Sequence, residues 1–173
     1  MAINRVREHL KQWNKDGQIL EFAVSSATVE LAAQAVHCEP ERIAKTLSFQ
    51  VDDGCVLIVT AGDAKIDNGK FKAAFKSKAK MLPPEKVIET VGHEPGGVCP
   101  FGINEGVRVY LDISLKRFTH VYPACGSSNS AIELTLEELA LYSNSLAWVD
   151  VCKAWSGAPE QEQAQENGKE KTQ

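Results

Sequence analysis

Seven residues, Gly96-Gly97-Val98-Cys99-Pro100-Phe101-Gly102, constrain this chain more than any other stretch. Neither a helix nor a strand accommodates that run, so the chain must turn there as a rigid loop whose bare backbone approaches something closely. Glycine and proline also mark ordinary helix-to-strand turns, but two adjacent glycines before Val-Cys-Pro are more than such a turn needs. A second loop of the kind, Pro123-Ala124-Cys125-Gly126-Ser127-Ser128-Asn129, follows one strand-rich segment later. A lysine in an apolar setting, Ile43-Ala44-Lys45-Thr46-Leu47, precedes both.

Around these loops, helix and strand signals alternate up to about Trp155. Ile3, Val6, Leu10 and Trp13 recur at helical spacing behind Asn4 as a cap, with Gly17 as the stop. A strand is expected over 19–24, a helix over 28–36, and a short helical turn over 40–44. Thr46 to Val51 and Cys55 to Thr60 read as a hairpin closed by Asp52-Asp53-Gly54, which puts Lys45 at a helix-to-strand junction. Helices are expected over 68–75 and 84–91, and strands over 107–113 and 119–122. Thr135 with Glu138 forms a capping box for a last helix. By pattern alone this is an α+β chain of one domain, residues 1–156. The remainder, 157–173, is a polar tail with almost nothing apolar, expected to be disordered.

A hydrophobic share of 43% in 173 residues is enough to bury a core without metal or disulfide help. No apolar run is long enough to span a bilayer, and charges run through the first thirteen residues, so a cytoplasmic location without membrane contact is expected. Cys38, Cys55, Cys99, Cys125 and Cys152 are odd in number and widely spaced, which reads as reduced thiols with neither a disulfide framework nor a metal site. Net charge is −4, yet Lys65, Lys70, Lys72, Lys76, Lys78, Lys80 and Lys86 face only Asp67 and Glu85 in one window. That window is either a face that binds nucleic-acid phosphates, with Lys65, Lys70, Lys72 and Lys76 as its candidates, or a solvated lysine-rich surface.

Single residues have a plain reading beside the chemical one. Lys45 either snorkels from a helix end to water or supplies a cation to a site. Ser127, Ser128 and Asn129 either form the turn or bind substrate. Cys99 and Cys125 are small buried hydrophobes or thiol nucleophiles with His93 or His120 as base, although no signature places a histidine beside either. His9 and His37, on expected helices, read as surface residues.

In order and spacing these segments resemble the YbaK/EbsC family, free-standing relatives of the editing domain inserted in bacterial prolyl-tRNA synthetases. The match runs from about Ser25 to Leu139. It is carried by Ser26-Ala27-Thr28-Val29-Glu30-Leu31-Ala32, Arg42 to Leu47, Ala61-Gly62-Asp63-Ala64-Lys65-Ile66-Asp67 with Lys70, Gly92-His93 with the first glycine loop, and Gly126 to Leu134. The resemblance implies a strongly curved, mostly antiparallel sheet approaching a barrel, with helices packed around it. It also implies an aminoacyl-tRNA deacylase acting in trans, most simply on tRNA for proline carrying alanine, cysteine or serine. Aminoacyl-tRNA is then the substrate, prolyl-tRNA synthetase is a candidate partner, and no cofactor or metal is needed. Lys45 corresponds to the lysine tied to editing activity. Gly96, Gly97, Val98, Cys99, Pro100 and Gly102 with Gly126, Ser127, Ser128 and Asn129 correspond to the substrate loops. The family often has serine or proline where Cys99 stands and a small residue where Cys125 stands, so both are expected to line the pocket and tune its preference. The competing readings are a thiol-dependent hydrolase of small esters and a non-catalytic module that binds tRNA or a synthetase.

Overall fold

The computed structural model describes residues 2–157. Most of the expected tail, from 158 on, lies outside the described residues. In chain order the elements are α1 (Ala2–Leu10), β1 (Leu20–Glu21), α2 (Val29–Val36), β2 (Ile43–Val51), β3 (Gly54–Ala61), β4 (Lys65–Ile66), α3 (Asn68–Phe75), β5 (Lys80–Met81), α4 (Pro84–Val91), β6 (Arg108–Asp112), β7 (His120–Pro123), β8 (Ser130–Ala131), β9 (Leu134–Thr135), α5 (Leu136–Tyr142), β10 (Ala147–Val149) and β11 (Cys152–Lys153).

The main sheet has seven strands in the order β10-β6-β3-β2-β7-β9, with β5 also on β2. Two short ladders, β1 with β8 and β4 with β11, fasten its flanks. Among the described residues five strand pairings are antiparallel and three parallel, so the expected mixed, mostly antiparallel α+β architecture stands. The middle strand β3 is buried from Cys55 to Ala61. Its apolar run from Cys55 to Val59 reflects burial on both faces, where alternation has no role. Phe49, Phe71 and Phe75 meet in turn as tilted rings, 4.8 Å between centroids, and seat α3 on this core.

Strand β2 sets up the site. It pairs with β3 from Ala44 to Val51, which fills one edge. On the other edge β7 holds only Ile43 and Ala44, and β5 holds only Phe49 and Gln50. Residues 45–47 therefore face a gap between two flanking strands, which closes where the Leu82 N–H donates to the Ser48 carbonyl at 3.0 Å.

Several local expectations change. Asn4 lies inside α1 instead of capping it, and the helix region ends at Asn14, which takes the left-handed conformation (φ 58°) that asparagine tolerates, well before Gly17. The strand expected over 19–24 shrinks to two residues because its partner β8 has only two. Strand β2 begins at Ile43, not Thr46, because β7 pairs with Ile43 and Ala44. Helices α3 and α4 keep the expected bounds, held by Asp67, which accepts from the Lys70 N–H at 3.0 Å, and by Gly92 at φ 101°.

Candidate active site

The gap on β2 opens into a cavity of about 350 Å³, at the small end of ligand pockets. Helix α2 closes one side with Thr28, Val29 and Ala32, and α4 the other with Pro84 and Val87. Met81, Leu82, Val98 and the Tyr122 ring make the wall largely apolar, and its polar side chains include Lys45, Thr28, Thr46, Ser26, Ser48 and Ser130.

Lys45 is half-buried, and its ammonium donates to the Ala64 carbonyl at 2.5 Å and the Gly62 carbonyl at 3.3 Å. Burial lowers its pKa from the ordinary lysine value, partly offset by the Cys152 thiol, Asp63 and Glu30 nearby and reinforced by Lys65. The plain snorkelling reading fails here, because the head group turns inward onto two backbone carbonyls. The loop that provides them passes so close to the 3-10 turn Pro40–Arg42 that a Cβ on Gly62 would lie 2.0 Å from the Pro40 carbonyl oxygen. Only glycine fits there. Next to the lysine, Thr46 lines the cavity with its Oγ1 buried and without a hydrogen-bond partner in the protein. A buried hydroxyl without a partner is uncommon in a folded protein.

The two glycine loops meet each other more than they meet the cavity. A Cβ at Gly97 would sit 2.7 Å from both the N and the carbonyl C of Ser127, and the Gly97 N–H already donates to the Glu94 carbonyl at 3.0 Å. Gly102 (φ 59°) and Gly126 (φ 90°) let the loops press against α1, at Arg5 and Ala2. The close approach expected from the glycines is real, but the chain itself is what comes close. Of the first loop, Gly96 and Val98 reach the cavity wall. Pro100 faces a separate polar cleft beside His9 and Asn104.

The second loop acts as a fastener. The Ser128 carbonyl accepts from the Ser26 N–H at 2.6 Å, and Asn129 and Phe22 exchange bonds of 2.8 and 3.0 Å. Ser127 bonds Ser130 at 2.6 Å. The turn-forming reading of these residues holds, and it is their neighbours Ser26, Ser130 and Ala131 that line the cavity.

Cys99 and Cys125 are fully buried in the core, not on the cavity wall where both were expected. Their hydrophobic thiols fill space behind the loops. Cys99 Sγ does lie 3.5 Å from His93 Nε2, a proximity that no sequence spacing announced. The pair is not a nucleophile and base: Nε2 is 2.7 Å from the Phe101 carbonyl and must donate to it, so it has no lone pair for the thiol. Burial pushes the Cys99 thiol up to about 12 and Cys125 well above the ordinary range, while burial first, with Arg5 second, holds the His93 pKa low against the Phe101 bond. All five cysteines are free thiols. His37 is exposed as expected, whereas His9 is half-buried, with Nε2 2.6 Å from the Tyr142 carbonyl.

Lys65, Lys72, Lys76, Lys78 and Lys80 are exposed. Lys70 differs: its ammonium bonds Asp150 at 2.9 Å and the Cys152 carbonyl at 3.1 Å, within the fold. Among the described residues no group of three or more His, Cys, Asp or Glu is gathered as a metal ion would need, and no helix is long and apolar enough to cross a membrane.

Residues 24–141 match the model of the aminoacyl-tRNA editing domain. The chain is 56% identical over 156 residues to the uncharacterized protein YwhH of Bacillus subtilis (strain 168), covering 90% of this chain and 99% of that one. It is 31% identical over 102 residues to the proline–tRNA ligase of Geobacillus sp. (strain WCH70), a match that takes in 58% of this chain but 18% of the ligase. Among solved structures, a candidate trans-editing enzyme for prolyl tRNA synthetase superposes with a TM-score of 0.80 at 29% identity, covering 88% of this chain and 97% of that one.

Proposed function

Because this chain belongs to the aminoacyl-tRNA editing domain family, we propose that it hydrolyses the ester of mischarged tRNA in trans, with tRNA for proline carrying alanine, cysteine or serine as substrate. The observation that carries this reading is Lys45: a half-buried ammonium fixed on two carbonyls at the wall of a small, mostly apolar cavity. A synthetase pocket separates side chains differing by one methylene by only about 1–3 kcal/mol, so a second, hydrolytic sieve is needed. A cavity of this size and polarity suits a small side chain.

In the mechanism, Lys45 binds the 3′-terminal nucleotide and stabilises negative charge that develops at the ester carbonyl. The Gly96 and Val98 N–H groups, on the cavity wall, polarise the same carbonyl, while that of Gly97 stays on Glu94. Water adds to the carbonyl carbon, and the bond to the ribose oxygen then breaks, that oxygen taking up a proton as the free amino acid leaves. The substrate's own amino group or ribose hydroxyl serves as base. Lys65, Lys72 and Lys76 meet the tRNA backbone, with Lys70 as a brace beneath them. The thiol-dependent hydrolase is the weaker reading, since both candidate thiols are buried with raised pKa.

Purified protein incubated separately with tRNA for proline charged with alanine, cysteine, serine, threonine and proline tests the proposal. Release of one or more small residues with proline retained is the expected pattern. No acceleration over the uncatalysed rate for any of the five contradicts it.

A further inference from the structure

The loop that seats Lys45 is fastened at three points that lie away from the cavity. At its start the Ala61 N–H donates to Ser114 Oγ at 3.1 Å, and Ser114 N–H in turn donates to the buried Asp112 carboxylate at 2.9 Å. Asp112 also accepts from the Val151 N–H at 2.9 Å, and the Val151 carbonyl accepts from the Asp67 N–H at 2.8 Å, which secures the far end. In the middle, Asp63 takes a two-pronged bond from Arg117 at 2.5 and 2.9 Å and a third from the Ser156 N–H at 3.3 Å. Arg117 is itself held: Nε donates to the Ser114 carbonyl at 2.9 Å, Nη1 to the Ser156 carbonyl at 3.1 Å, and its guanidinium lies 4.8 Å from the Phe118 ring and 5.0 Å from the Trp155 ring.

We propose that Asp63 and Arg117 are a positioning pair for Lys45, a clasp that fixes the Gly62 and Ala64 carbonyls and so sets where the ammonium stands at the cavity wall. The inference rests on the catalytic reading of Lys45. Asp63 stands between the two carbonyl-bearing residues, so any rotation of its backbone moves both seats at once. The side chains of Asp63 and Arg117 keep 22% and 17% of their exposure, which removes them from the class of screened surface pairs. A planar guanidinium holds both carboxylate oxygens in one orientation, which a lysine ammonium does not do. The third contributor is the segment Asp150–Ser156, since β11 pairs with β4 and Ser156 closes on Asp63.

The clasp also acts through charge. The ionisable groups facing Lys45 are Cys152 on β11, Asp63 on the loop, Glu30 on α2 and Lys65 on β4. Taking away the Asp63 charge removes one of the anions that favour the ammonium, so the Lys45 pKa falls further and the alkaline limb of activity moves to lower pH.

The test combines the titration of Lys45, followed by NMR of protein carrying ¹³C-labelled lysine and assigned with Lys45→Ala, with kcat and KM for alanyl-tRNA for proline. Asp63→Asn is expected to lower kcat about tenfold or more, to leave KM within about twofold, and to move the Lys45 titration and the alkaline limb down together. Asp63→Glu, which keeps the charge on a longer arm, restores the titration but not kcat. Arg117→Lys keeps both charges and loses the fork; it is expected to lower kcat, and it is read in place of Asp63→Asn should that variant not fold. An unchanged kcat and an unchanged Lys45 titration in a folded Asp63→Asn or Arg117→Lys protein overturn the clasp. The titration needs no turnover, so the two ideas fail separately. A fully active Lys45→Ala with a shifted titration in Asp63→Asn sinks the deacylase mechanism alone, and an inactive Lys45→Ala with Asp63→Asn normal in both measures sinks the clasp alone.

Discussion

Replacing Gly62 by alanine adds one methyl group where the loop that holds Lys45 crosses the turn before β2. The new Cβ would lie 2.0 Å from the Pro40 oxygen, 3.0 Å from the Pro40 carbonyl carbon and 2.8 Å from Val29 Cγ1. Reaching ordinary contact requires the two backbones to separate by roughly 1.4 Å, and backbone does not yield as a side-chain tip does. Overpacking costs about 1–3 kcal/mol where side chains absorb it, so about 3 kcal/mol is expected here. For a domain of this size that corresponds to a fall in Tm of roughly 6–12 °C. Gly62 does not take a positive φ, so the whole effect is steric. The moving carbonyl also accepts from Lys45, so deacylation falls together with stability. Gly17→Ala is the control, with nothing within 4 Å of its Cβ, and is expected to be neutral or stabilising by about 0.4–1 kcal/mol. Urea unfolding with the slope checked, and single-turnover deacylation, read both effects. A Gly62→Ala protein with the midpoint and turnover of Gly17→Ala refutes the reasoning.

Three further outcomes are expected. Cys99→Ser retains deacylation and no acylated thiol appears by mass spectrometry in the wild type, because the sulfur is buried behind the loop; a dead variant together with a trapped thioester would revive the thiol enzyme. Deacylation per enzyme, corrected for spontaneous hydrolysis, declines as pH rises through the Lys45 pKa, below the ordinary 10.5, because the ammonium is the active form; a flat profile to pH 10.5 in a stable protein contradicts this. Neutralising Lys65, Lys72 and Lys76 to glutamine weakens tRNA binding and flattens the salt dependence by about one unit of log–log slope for each phosphate left without its lysine, with the amino-acid preference kept, and an unchanged slope returns the window to a solvated surface.

Features governed by neighbouring residues are legible in the amino-acid order itself. Asp67, Gly92 and the Thr135–Glu138 box set helix ends by local hydrogen bonds, and α3 and α4 fall where those signals place them. The β2–β3 hairpin is equally local. What stays hidden depends on distant partners. Strand β4 exists because β11, almost ninety residues later, pairs with it. Gly97 needs to be glycine because Ser127 presses on it, and Gly62 because Pro40 does. Thr46 and Gly62 stand inside motifs notable for their lysine and aspartate, yet only the folded chain shows an unpartnered hydroxyl on one and a carbonyl seat for Lys45 on the other. Cys99 and His93 come together by the curl of the loop, which periodicity does not encode.

The most direct test of the account compares single-turnover hydrolysis of alanyl-tRNA for proline by the wild type and Lys45→Ala, with circular dichroism and urea unfolding to verify the fold. The hydrogen bonds of the Lys45 ammonium go to two loop carbonyls and not to a core side chain, so the variant is expected to fold. Loss of one charge-stabilising group from such a site costs about 10²–10³ in rate, and a fall of that size is predicted. A folded Lys45→Ala protein that turns over at the wild-type rate contradicts the account at its centre.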